Sequence, residues 1–148
     1  MPADSVNRET VRDALTTLLD TALTGVGNPA QAVYGYQIGD FQGQSPVVVV
    51  SSAGSERLKF QLSGQRSLLY FNVYVFVLYS DQDTWGEDDA EDRMDLIEKE
   101  IADVLRDNRN TSNWTDIQLE GRSTLDAIAI GGTEYRREVM EIRAEVVG

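Results

Sequence analysis

The sequence predicts an α+β domain spanning 1–148, in which a mainly antiparallel sheet of about five to seven strands carries two amphipathic helices on one face. Three observations predict it. The run Ser67 to Ser80 is an unbroken series of β-branched and aromatic residues, the pattern of a central strand. Two segments, about 6–23 and about 88–108, space their apolar residues at helical intervals. The stretches between and after them, about 32–80 and about 115–147, alternate with period two.

Read with period two, the central run has two apolar flanks. One carries Leu69, Phe71, Val73, Val75, Val77 and Tyr79, and the other carries Leu68, Tyr70, Asn72, Tyr74, Phe76 and Leu78. Helices can cover one flank, so a second layer or another subunit is expected over the other.

In chain order, Val11, Leu15, Leu18, Leu19, Ala22 and Leu23 form the first helical stripe, with Asp4, Ser5 or Asn7 as N-cap. Gly25 to Pro29 ends it. Tyr34, Tyr36 and Ile38 then alternate as one strand, and Pro46 to Ser51 reads as another. Ser52 to Ser55 is expected to break the chain, and residues 56–80 to form a long hairpin that turns at Ser63 to Arg66. Ala90, Met94, Ile97, Ile101, Val104 and Leu105 make the second helical stripe, a core face resting on the sheet. After a polar turn at 108–113, strands are expected at Asp116 to Glu120, Thr124 to Ile130 and Thr133 to Val147, the last two joined by Gly131-Gly132. On the closing strand Met140, Ile142, Ala144 and Val146 share one face, while Arg137, Glu141, Arg143 and Glu145 line the other.

Composition narrows the chemistry. The chain has neither cysteine nor histidine, which excludes thiol and histidine-based catalysis and leaves carboxylates as the only route to an enzyme. No run approaches the roughly 20 apolar residues of a membrane span, and Met1 to Arg8 lacks the apolar core of a secretory signal, so a protein used without export is expected. The net charge of -12 opposes a broad nucleic-acid-gripping surface and suits one that DNA passes without sticking.

Local motifs are weak. Gly25-Val-Gly27-Asn-Pro-Ala30 mimics a dinucleotide fingerprint but follows a helix where that motif needs a strand. Asp81, Asp83 and Asp92 approximate a calcium loop, yet Trp85 replaces an oxygen ligand and Asp92 is shorter than the required glutamate. The acids at 87–92 are better read as dipole-matched charges in the first turn of a helix. No metal, cofactor or catalytic residue is therefore assigned. Arg57, Lys59 and Arg66, the only basic residues between Arg12 and Arg93, mark the outer arm of the hairpin as a place to meet an acidic neighbour or as a charge-guarded edge. Together with Tyr70, Asn72 and Tyr74 on the flank left over by the helices, they are the interface candidates.

The helix at 6–23, the hairpin whose second arm reads Leu68-Leu-Tyr-Phe-Asn-Val-Tyr-Val-Phe-Val-Leu-Tyr79, the acidic-start helix at 88–108 and the closing Gly131-Gly132 hairpin resemble the tail terminator (tail completion) proteins of long-tailed viruses. The resemblance implies a non-enzymatic virion protein at the tail–neck junction, assembled in the host cytoplasm. It implies a homo-oligomeric, hexameric ring that caps the tail tube protein, meets a neck or head-completion protein and lets DNA through its lumen without specific binding. Another head–tail connector or tail tube component shares this layout, and a carboxylate-dependent hydrolase is the distant alternative.

The 13 basic residues comprise eleven arginines and only Lys59 and Lys99 as lysines. This bias fits either a halophilic surface, and with it a haloarchaeal virus, or a GC-rich genome. Melting across a salt series separates the two: structure lost in dilute buffer marks salt adaptation, and an indifferent melting curve removes that idea.

Overall fold

A computed structural model describes residues 7–42, 44–59, 65–78 and 87–147. The elements are α1 (Arg8–Leu23), β1 (Ala32–Tyr34), β2 (Val47–Lys59), β3 (Gln65–Leu78), α2 (Glu87–Asp107), β4 (Asp116–Ile130) and β5 (Thr133–Val147). They build an α+β fold whose 5-stranded sheet has the order β1-β2-β3-β5-β4. Only β1–β2 is parallel; the other ladders are antiparallel. The apolar run is thus the middle strand, with β2 and β5 paired along nearly all of it.

Both helices lie on one face. Val11, Leu15, Leu19 and Leu23 of α1 and Ala90, Met94, Ile97, Ile101 and Leu105 of α2 share a core with Leu69, Phe71, Val73, Val75 and Val77 of β3. α1 covers β1 and β2, while α2 covers β3 and β4. Of the three proposed caps, Asn7 is the one used: its side chain accepts from the Glu9 N–H at 2.8 Å. The turn from α2 into β4 is pinned by buried Trp114, whose Nε1 donates to the Asn108 carbonyl at 2.8 Å. No described helix is long and apolar enough to cross a membrane.

Five sequence expectations need correction. Ser52 to Ser55 does not break the chain: β2 runs from Val47 through Lys59, and the extra residue is absorbed where its register on β3 shifts between Ser52 and Gly54. Gly54 takes a φ of 137°, which a residue with a Cβ rarely adopts. β4 is likewise one strand, with the register shift between Glu120 and Thr124 where a gap was expected. The strand at 32–38 shrinks to Ala32–Tyr34, because the chain turns away at Gly35. β3 begins at Gln65, inside the expected turn; Tyr79 and the stretch 60–64 lie outside the described residues.

The fifth correction concerns the second flank of β3. Part of its cover comes from the chain itself, through the loop between β1 and β2. Buried Phe41 sits 4.8 Å from Phe76 and 5.3 Å from Tyr135 between ring centroids, forming with Val47 and Val49 a second apolar cluster. Polar ties hold the loop in place. The Gln31 N–H donates to the Pro46 carbonyl at 2.8 Å, the Ser45 N–H to Gln31 Oε1 at 2.9 Å, and the Leu78 N–H to Ser45 Oγ at 2.8 Å. Its floor is the β4–β5 turn, where Gly131 and Gly132 have φ of 58° and 79°. A Cβ on Gly131 would come 2.9 Å from Asp40 Cγ, so the turn and the loop are fitted to one another.

Phe41→Ala should therefore cost about 3–5 kcal/mol, measured as the loss of unfolding free energy in urea. A cost under about 1 kcal/mol would show that the second cluster contributes little packing.

Candidate functional site

The sheet presents a half-covered face and two open edges. Cross-strand pairing orders the face into rows, and from the covered end the first to span four strands is Val47–Phe76–Arg137–Asp126. The next are Val49–Tyr74–Val139–Thr124, Ser51–Asn72–Glu141–Glu120 and Gly54–Tyr70–Arg143–Gln118. The Phe41 loop covers the first rows. Half-buried Tyr74 packs against that cluster, and Tyr70, Asn72 and Val139 stay half-buried beyond it.

These rows locate the interface candidates. Arg66, Tyr70, Asn72 and Tyr74 project on this face from β3, as period two requires. Asn72 Nδ2 donates to the Tyr74 hydroxyl at 3.3 Å, and the Arg137 guanidinium lies 5.9 Å from the centroid of the Tyr74 ring. Arg57 is not with them. It pairs with Ser67 on the helix side, and its Nη1 donates to Ser67 Oγ at 3.0 Å. Lys59 closes β2, and its side chain lies outside the described residues. Of the calcium-loop lookalike, Asp81 and Asp83 also lie outside them, and Asp92 is exposed on α2.

Ion pairs run across the face between β3, β5 and β4. Arg66 Nε donates to Glu145 at 2.9 Å, Arg143 pairs with Glu120 at 3.0 Å, and Arg137 grips both oxygens of Asp126 at 2.9 and 2.6 Å. The Arg137 hydrogen bond holds the Asp126 carboxyl below the ordinary aspartate range against a smaller cost of desolvation. Glu56 and Glu141 are exposed on the same face, leaving it with more carboxylates than guanidiniums.

Each edge has a kink. Beside the β2 kink, Arg12 Nη1 donates to Ser52 Oγ at 2.8 Å and Arg8 Nη1 to Ser55 Oγ at 3.0 Å. The buried Nε of Arg12 has no hydrogen-bond partner among the described residues. At the β4 kink a notch of about 60 Å³ opens over Met140 and is lined by Glu98, Glu120, Gly121, Ser123 and Glu141.

Behind that notch stands Glu138, only 5% exposed on the helix side of β5 and paired across the ladders with Val75 and Leu125. Ser123 Oγ donates to it at 2.7 Å. Burial pushes its carboxyl above the ordinary glutamate range, the Ser123 bond opposes that, and Glu98 and Asp95 of α2 add to it. Sequence alternation places position 138 on the core face but gives no sign that a carboxylate is tolerated there. The signal is the serine in the neighbouring kink, which becomes visible only once the kink is known.

No protein-family model and no curated protein matches this chain.

Because the folded Glu138 carboxyl titrates above its unfolded value, its favourable contribution is complete below the unfolded pKa and is lost as pH rises through the folded one. Glu138→Gln should accordingly gain stability relative to the parent chain between about pH 4 and about pH 8 in urea unfolding. A difference that stays constant over that range would mean the carboxyl is not perturbed by its burial.

Proposed function

We propose that this chain is a structural virion protein, a ring-forming tail terminator that caps a tail tube, joins it to the neck and lets DNA pass. The observation that carries the reading is the incompletely covered second face of the central strand. Helices occupy one face and the Phe41 loop part of the other, leaving Tyr70, Asn72 and Tyr74 half-buried on β3. Those side chains form a short aromatic strip between ion pairs, the composition of a contact surface with a polar surround. The sheet also ends in two long edges. Among the described residues, only Val47, Val48 and Val49 are paired on the outer side of β2, by β1, and β4 pairs on one side alone. Strand edges left open in this way are places where chains associate.

Charge supports the same reading. A lumen through which a duplex slides works best when it repels phosphate, and the chain carries a net charge of -12. The open face has an excess of carboxylates, so it would weaken a grip on DNA.

Negative-stain microscopy of the purified protein, alone and with tail tubes, tests the proposal. Rings with a central opening, free or seated on tube ends, are expected. Strictly monomeric particles that also ignore tube ends would remove the terminator reading and leave the fold untouched.

A further inference from the structure

The two kinks hold unlike charged groups at matched positions: arginines of α1 at the β2 kink, with exposed Glu9 and Asp13 next to them in sequence and exposed Glu56 next to Ser55, and carboxylates at the β4 kink. On the β2 side, Arg8 and Arg12 reach from α1 to hydroxyl partners, Ser55 and Ser52. Elsewhere the guanidiniums of Arg66, Arg109, Arg136, Arg137 and Arg143 meet carboxylates. A guanidinium on a neutral oxygen keeps its full charge and has donors to spare.

On the β4 side the imbalance is reversed. Glu98 and Glu141 line the notch at the kink, and Asp95 stands close enough to Glu138 to bear on its charge. Arg122 is exposed on the same kink and leaves the sum negative.

Register adds a geometric fact. Ser52 pairs with Phe71, Phe71 with Ile142, and Ile142 with Leu119, which lines the notch one residue before the last paired position ahead of the β4 kink. The arginine site and the carboxylate notch therefore lie at opposite ends of one cross-strand row. A second copy displaced along that row brings arginines against carboxylates with no shift along the strands. The antiparallel ladders β2–β3, β3–β5 and β5–β4 also make β2 of the incoming copy antiparallel to β4. The kinks interrupt both edges, which disfavours a continuous main-chain ladder and leaves recognition to side chains.

Resting on the ring reading, we propose that neighbouring copies meet head to tail, with Arg8 and Arg12 of one copy docked on the carboxylates at the β4 kink of the next. Like edges repel, so a two-fold contact is disfavoured and the unlike pairing repeats around a ring. The occupant of the arginine edge is a second copy, because the acids it needs stand on the same molecule at the same height.

Charge exchange tests this by sedimentation velocity. Arg8→Glu/Arg12→Glu and Glu98→Arg/Glu141→Arg should each stay monomeric at concentrations where the parent chain forms rings, and an equimolar mixture should restore rings of alternating chains. Where melting shows that a reversed chain does not fold, the neutral pairs Arg8→Gln/Arg12→Gln and Glu98→Gln/Glu141→Gln replace it. Each should raise the assembly midpoint on the order of tenfold or more.

Rings that persist in all the variants would overturn the pairing while leaving the ring reading intact, and so would two monomeric variants that fail to combine. Unchanged rings together with lost retention on duplex DNA would assign the arginines to phosphate and overturn it too. A parent chain that never assembles, alone or on tubes, removes the ring reading first and this contact with it.

Discussion

The structure depends on one strand being apolar on both flanks. Leu69, Phe71, Val73, Val75 and Val77 of β3 are completely buried beneath the helices, so the hydrophobic gain from α1 and α2 is concentrated on a single row of side chains. The opposite flank cannot be treated in the same way, because both helices are already committed. The loop after β1 answers part of that need by inserting Phe41 between Phe76 and Tyr135. Burial there also pushes the Tyr135 phenol up, with Asp40 adding to the effect. What the loop does not reach is the middle of the face, and that remainder is the surface proposed for association.

Regular periodicity was legible in the sequence and interruptions were not. Both helices, the middle strand and the Gly131-Gly132 turn follow from spacing and turn chemistry alone, because each is a local property of its own residues. The serines and glycines at 52–55 and at 121–123 carry the same local signal as a loop. Inside a sheet, however, the ladder to the neighbouring strand holds the chain before and after the extra residues, one in β2 and two in β4, and the strand kinks and continues. Tertiary pairing decided those positions. The cover supplied by Phe41 was hidden for a related reason: its partners are β3 and β5, far away in sequence.

The candidate surface was legible to a similar depth. Period two placed Tyr70, Asn72 and Tyr74 together correctly, and Arg66 with them. It could not place Arg57, since the register shift between Ser52 and Gly54 determines which way the later part of β2 faces. Arg8 and Arg12 were not singled out at all. Their proposed role starts from their bonds to Ser55 and Ser52, and nothing in a one-dimensional reading joins the start of α1 to the middle of β2. Glu138 was missed because a buried acid looks, in sequence, like any polar residue on a solvated strand.

The strand order has a temporal side. β3 is flanked by β2, which immediately precedes it in a hairpin, and by β5, which lies more than fifty positions downstream and must be inserted between β3 and β4. During synthesis the most apolar strand therefore has one bare margin until residues 133–147 emerge, and α2 is formed well before then. A nascent chain of this kind is most exposed to wrong partners in that interval, and its safest course is to complete the fold before it meets its neighbours.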